Sequence, residues 1–473
     1  MAHVTSRSYY NLQRRLDEAP QGAPASETLF RILEVLFTKH EAELVSLLPG
    51  SLFTVGEAAK IWRMPTDRAR SALDALADKG ILLDFAAGDM HGYVLAPTMA
   101  GFFEFSLMRL DGRFDKKVLS ELYYQYINTE EDFVKSVLST EPHVGRTYVQ
   151  EDAIQEKDRA VVLDYERATH VIDTATCITV GTCYCRHKMQ HVGKACNAPQ
   201  EVCLTFNWCA ESLARHGIAR TISQKEAHKI LDECIEIGLV QLGDNVKEGV
   251  NWICNCCSCC CEGLLAYRRL GYNVRLSTNF VSTHNRGACI GCDICVERCP
   301  VNAITQCAAS NGLDYVSVDS DRCIGCGVCV RFCPTGSMVL ERRNEIAFVP
   351  KDSFERCVMT AIATGKLQNL LFDNRTLFTH NLLRRFLKVV LSLDPAKRAL
   401  AQRQIQSRLL KAATRTKQYA LYRTLMDASK TPDDSHLELA SGAGSESLWP
   451  VREPDSLLPV PPRPHHPAAY RGS

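Results

Sequence analysis

The spacing of apolar and polar positions changes character several times along the 473-residue chain. Residues 1–27 are mainly polar and predict a lead-in without a core face. Leu29, Ile32, Leu33, Leu36 and Phe37 then recur at helical intervals. TVGEAAKIW predicts a short second helix, Met64-Pro65 a turn, and Thr66 the cap of a third helix, TDRARSALDALADKG. Ala69, Ala72, Leu73 and Leu76 give that helix one apolar face, and Gly80 stops it. ILLDF and YVL, separated by Gly88 and Gly92, predict a pair of strands.

That order over residues 28–99 reads as a winged helix-turn-helix within an α+β, multidomain chain. Its presumed reading helix sets Arg68, Arg70 and Lys79 against Asp67, Asp74 and Asp78. DNA affinity comes largely from neutralising phosphates, so a charge-balanced helix is a poor reader. DNA binding through residues 54–96 therefore ranks below docking to protein. Residues 100–176 predict further helices without a chemical signal. Residues 349–428 predict helices that become basic, and the stretch from Thr431 onward, rich in Pro, Ser, Gly and charge, predicts a disordered tail.

Cysteine use decides the chemistry. The chain has 23 cysteines, and neither its first 176 nor its last 116 residues contain one. The opening MAHVTSRSYYNLQRRLDEAP has no apolar signal region, and no apolar run approaches the ~20 residues of a membrane span. The expectation is a cytoplasmic protein in a reducing compartment, where thiols serve metals instead of a disulfide framework. A formal net charge of +1 gives no bulk attraction to nucleic acid or membrane.

The chain reads CIGCDICVERCP from Cys289 to Pro300 and CIGCGVCVRFCP from Cys323 to Pro334. Each is C-x₂-C-x₂-C-x₃-C-P, and residues 279–345 resemble the bacterial dicluster ferredoxins. The resemblance implies two 4Fe-4S clusters with crossed ligands: Cys289, Cys292, Cys295 and Cys333 for one, and Cys323, Cys326, Cys329 and Cys299 for the other. Gly291, Gly325 and Gly327 would let backbone N–H groups approach the sulfurs. Zinc also takes closely spaced cysteines, but the tandem match of eight cysteines and two prolines disfavours it.

Residues 177–272 carry two more groups. CYCRHKMQHVGKACNAPQEVC supplies Cys183, Cys185, Cys196 and Cys203, the first choice for a further 4Fe-4S cluster. ICNCCSCCC supplies Cys254, Cys256, Cys257, Cys259, Cys260 and Cys261. Neighbouring side chains on an extended chain face opposite ways, so this block could feed two sites, or one with spare thiols. One or two further clusters, or zinc, are the candidates. These blocks beside a dicluster module resemble a set of multi-cluster ferredoxin-domain proteins. The resemblance covers most of the chain and implies no particular reaction.

Other cysteines call for a plainer reading. In SQKEAHKILDECIEIG, Ser223 and Glu226 form a capping box, and Ala227, Ile230, Leu231 and Cys234 line one face. Cys234 is therefore a core thiol, as are Cys209, Cys307 and Cys357 by default. Arg186, His187, Lys188 and His191 are expected at the solvated surface. The alternatives are that they neutralise cluster charge or that His187 is a ligand.

No G-x-G-x-x-G follows a strand, and the chain has no P-loop lysine motif, no Ser/His/Asp arrangement and no H-E-x-x-H. The expected function is iron–sulfur electron transfer with a redox partner protein. The alternatives are a redox-sensing winged-helix regulator and an oxidoreductase with a catalytic cluster in the cysteine-rich centre. From Arg384 to Arg423 only Asp394 opposes a run of Lys and Arg. Pro395 divides this stretch into amphipathic helices, Leu387–Leu393 and residues 396–413, whose apolar faces are expected to pack on the ferredoxin-like module. The alternative is a basic docking face for an acidic redox partner, ahead of anionic membrane and nucleic acid.

Overall fold

A computed structural model describes residues 6–87, 90–159, 162–271, 278–307, 315–374, 376–392, 409–411 and 417–428. These all belong to one unit, Met1–Thr431. The second unit, Pro432–Ser473, which covers the expected tail, lies outside the described residues, as do the Pro395 break and most of the second basic helix.

Caps set the start of the N-terminal helices. Ser26 accepts the Leu29 N–H and opens Glu27–Leu36, whose Leu29, Ile32, Leu33 and Leu36 are fully buried. Capping boxes Thr38–Glu41 and Thr54–Glu57 open Lys39–Leu47 and Val55–Trp62. Arg63, at φ 54, ends the latter in the left-handed region. Thr66 is the first residue of Thr66–Asp78 and not its cap, because Pro65 at φ −57 and ψ 146 already holds the extended cap conformation. Strands Leu82–Ala87 and Met90–Leu95 pair antiparallel, and Phe53–Thr54 adds a short third strand. A side chain at Gly92 would lie 2.2 Å from Phe85 Cζ, so the ring needs that glycine.

The lead-in is not featureless. Arg7–Asp17 is a helix that buries Tyr9, Leu12 and Leu16 and packs on Lys39–Leu47. Its polar character hid it, since Gln13 and Arg15 are buried too. They donate to the Ala23 and Leu48 carbonyls.

The cysteine-rich centre is built on a six-stranded antiparallel sheet. Its order is Gly145–Thr147, Val240–Asp244, Trp252–Cys256, Glu201–Phe206, Ile178–Thr182 and Arg220–Thr221. Tyr148, Ile172, Val180, Phe206, Leu231 and Ile253 form a core on it. Residues 279–345 hold two antiparallel pairs, Phe280–His284 with Met338–Arg342 and Ile304–Cys307 with Tyr315–Val318, and two short helices, Ile294–Arg298 and Val328–Arg331. Backbone bonds tie this module to the rest: Gln150 N to Cys326 O at 3.0 Å and Thr278 N to Ile324 O at 3.0 Å.

Helices Ser353–Ala363, Leu367–Leu371, Phe378–Ser392 and Lys417–Ala428 follow. Arg15–Asp373 and Arg384–Glu18 ion pairs join them to the first helix. Phe378, Leu382, Phe386 and Val389 are exposed, whereas Leu387, Val390 and Leu391 of the expected Leu387–Leu393 helix are half-buried.

Candidate metal centres

In the module, the turns before the two short helices need unusual backbone. Gly327 has φ +93, and an added side chain there would meet Ala153 Cβ at 2.8 Å; Asp293 takes the equivalent place at φ 58. At Gly325 a Cβ would sit 2.1 Å from Thr278 Oγ1. These turns bring Cys299 across the sequence to Cys323, Cys326 and Cys329, and the four line one small cavity with Ser282 and Leu340. Cys295 in turn feels Cys292 and Cys333.

Among the described residues, the module's sulfurs meet donors from the chain and not one another. Ala303 N donates to Cys299 Sγ at 3.2 Å, Ser282 N to Cys323 Sγ at 3.4 Å and Met338 N to Cys333 Sγ at 3.4 Å. Ser282 Oγ lies 2.8 Å from Cys329 Sγ. Spaced thiols, a cavity between them and N–H groups aimed at sulfur fit an iron–sulfur cubane, whose charge such donors offset. Nothing in the sequence pointed to Ser282. Cys323, Cys326 and Cys329 are buried, whereas Cys292 is exposed.

The centre is arranged differently. The Trp252–Cys256 strand runs into a tight turn whose Cys261 N–H bonds the Cys257 carbonyl, ahead of helix Glu262–Leu270. That turn sorts the ICNCCSCCC cysteines into two groups. Cys183, Cys203, Cys254, Cys256, Cys261 and Cys185 form a linked set, each thiol influencing the protonation of the next, and all six line one cavity. Separately, the sulfurs of Cys196, Cys257, Cys259 and Cys260 all lie within 4.8 Å of one another. Cys196 thus stands apart from Cys183, Cys185 and Cys203, with which its sequence block had grouped it.

Donated hydrogen bonds favour thiolate at selected positions. Those from Cys203 and Cys256 bring Cys254 down to about 6 against the effect of burial. Bonds from Cys196, Cys259 and Cys260, together with the Arg186 charge, hold Cys257 well below the usual thiol value.

The basic residues of this block are not surface groups. Arg186 is fully buried, donating through Nη1 to Cys257 Sγ at 3.6 Å and through Nη1 and Nη2 to the Asn255 carbonyl at 3.1 Å. Lys188 is also fully buried, paired with Glu262 and Asn128. Buried charge requires such partners, and the sequence gives no sign that Asn128 and Glu262 are waiting. His187 Nδ1 lies 2.7 Å from the Leu107 carbonyl and its Nε2 3.1 Å from His191 Nε2, so both ring nitrogens are engaged with the chain. Cys209 and Cys234 are core thiols; Cys307 and Cys357 are half-buried. Ser223 accepts the Glu226 N–H and caps the helix that carries Cys234, but the Glu226 carboxylate accepts from Arg220 instead of closing the box on the Ser223 N–H.

A cavity of about 450 Å³ opens beside the six linked cysteines, walled largely by apolar groups including Met99, Met108, Trp208 and Trp252. Glu104 also lines it, accepting the Ala100 and Gly101 N–H groups, and burial raises its carboxyl to about 7. No helix among the described residues is long and apolar enough to cross a membrane.

No curated protein and no solved structure matches the chain. Residues 288–337, the stretch with crossed cysteines and donors aimed at sulfur, match the 4Fe-4S dicluster domain family.

Proposed function

We propose that this protein transfers electrons through two 4Fe-4S centres in the 279–345 module and a third iron–sulfur group on the six linked cysteines. Cys289, Cys292, Cys295 and Cys333 hold the first, and Cys323, Cys326, Cys329 and Cys299 the second. The observation that carries this reading is the shared cavity of Cys299 with Cys323, Cys326 and Cys329. Bound there, such a group supplies one-electron chemistry; the chain contributes thiolates, N–H donors and burial, which tune it. The exposed Cys292 makes the first centre the entry point for a soluble redox partner in a reducing compartment. Anaerobic purification with iron and sulfide analysis and an EPR-monitored redox titration tests this. The expected result is about 12 irons per chain and three separable signals. Eight irons would remove the third group.

Residues 28–99 act in this reading as a winged helix that docks protein. Three of the six charges set along its reading helix are engaged within the chain: Tyr93 donates to Asp74, Lys79 pairs with Glu41 at 2.7 Å, and His216 Nδ1 lies 2.6 Å from Asp78. DNA retained at physiological salt in a gel-shift assay would favour the regulator instead.

The cavity supports a second reading, an oxidoreductase acting on a small apolar substrate next to the third group. A ligand-induced change confined to the third EPR signal would select it.

A further inference from the structure

Four sulfurs can surround a metal in two ways, and their spacing tells the two apart. A single tetrahedral ion with metal–sulfur bonds of about 2.3 Å holds its sulfurs about 3.8 Å apart. In a cubane each thiolate binds a different iron, which keeps the sulfurs roughly 6 Å apart. Cys196 Sγ lies 3.5 Å from Cys257 Sγ and 4.0 Å from Cys260 Sγ, and Cys259 and Cys260 are 3.7 Å apart. All four fit within 4.8 Å. There is no room between them for a four-iron cube.

We propose that Cys196, Cys257, Cys259 and Cys260 form a closed site for one zinc ion, separate from every iron–sulfur group of the chain. The donor set is four thiolates with no open position, the arrangement of a structural site and not a catalytic one. Cys196 lies in the loop after helix Tyr184–His191, and the other three lie in the turn after strand Trp252–Cys256. The ion therefore staples two segments that no backbone ladder joins at this point. Four thiolates on a divalent ion leave two net negative charges. The buried Arg186 guanidinium, 3.6 Å from Cys257 Sγ, offsets part of that excess and fixes the sulfur's direction.

The site also accounts for Cys256 and Cys257, and again Cys260 and Cys261, being consecutive yet in different groups. One member of each pair serves the zinc and the other serves the six-cysteine set.

The test uses the full-length chain purified anaerobically, with metals counted by mass spectrometry and zinc examined by X-ray absorption. One zinc per chain with four sulfur neighbours at about 2.3 Å and no iron neighbour is expected. Cys196→Ser should lose the zinc while the module's EPR signals persist. Cys196→His, which keeps a zinc ligand, should restore one zinc and guards against simple misfolding of the serine variant. The proposal is overturned if purified protein holds no stoichiometric zinc. It is equally overturned if the site holds a single iron, or if Cys196→Ser removes an iron–sulfur signal and leaves zinc unchanged. Since zinc is counted apart from iron, failure here leaves the electron-transfer reading standing, and the reverse is also true.

Discussion

Arg186 and Lys188 carry the clearest lesson at the scale of single residues. Residues two apart on a helix point about 200° from one another, so the burial of both means that Tyr184–His191 has protein on two opposite sides, with Gln190 left exposed. Charged residues in sequence suggest water, and only the placement of Cys257, Asn255, Glu262 and Asn128 overrides that default. Arg186→Gln should therefore cost about 3 kcal/mol in denaturant melts, because it strands the Cys257 sulfur and the Asn255 carbonyl. A stability within about 0.5 kcal/mol of the parent would mean that the guanidinium is dispensable. The crossed ligands make a second prediction. Cys299→Ala should abolish the same EPR signal as loss of Cys323, Cys326 and Cys329 together, and Cys333→Ala the other one. If Cys299→Ala matched loss of Cys289, Cys292 and Cys295 instead, the crossing would be wrong.

At the scale of elements, a bracket of charges joins the N-terminal helices to the central sheet. His216, just past helix Asn207–Arg215, has Nδ1 2.6 Å from Asp78 and Nε2 3.1 Å from Asp84. Asp84 also receives Ser212 Oγ at 2.7 Å and Arg215 Nε at 3.1 Å. Burial pulls the His216 pKa down, but Asp84 and Asp78 outweigh it and leave it raised; Asp84, despite burial, is held low by His216 and Arg215. A raised histidine stabilises fully below its ordinary value near 6.5 and loses that contribution as pH climbs past its folded value. A depressed aspartate stabilises above its ordinary value near 4 and loses it on acidification. Melting temperature should therefore peak between roughly pH 4 and 6.5, and the decline toward pH 9 should be shallower in His216→Gln. Parallel curves would remove the bracket from the stability of the junction. Helices Glu27–Leu36, Val55–Trp62 and Thr66–Asp78 were legible from their apolar spacing, whereas Arg7–Asp17 and Lys39–Leu47 were not. The six-stranded sheet was not. Val240–Asp244 is buried on both faces and includes Gln241 and Asp244, so no alternation marks it as a strand. Gln241 donates to Asn255 Oδ1 across the ladder, a pairing that only the register supplies.

For the whole molecule, one apolar core runs from Tyr9 through Cys256 to Val328, crossing the boundaries expected from composition. The dicluster motif was readable residue by residue because its spacing is local. The division of the central cysteines was not, since it depends on where a turn points adjacent side chains. The module leans on the rest through Cys326 O, Ile324 O and the Arg322 carbonyl, which accepts Tyr267 Oη at 3.1 Å. Residues 279–345 expressed alone should therefore hold the solvent-facing first cluster better than the second, with fewer than eight irons after anaerobic reconstitution. A full eight would show that these supports are not needed.

The consecutive cysteines of the 256–261 turn have a consequence for maturation in the cell. On the proposed assignment, a chain leaving the ribosome offers ten central ligand thiols to two kinds of metal delivery, and a single peptide bond separates thiols with different destinations. Once Cys257, Cys259 and Cys260 are taken up with Cys196, the turn is fixed, and Cys254, Cys256 and Cys261 are left presented to the iron–sulfur assembly machinery. Loading in the opposite order would leave thiols free to be captured by the wrong delivery route. On that assignment the order of metal insertion is part of what decides which metals the finished protein holds.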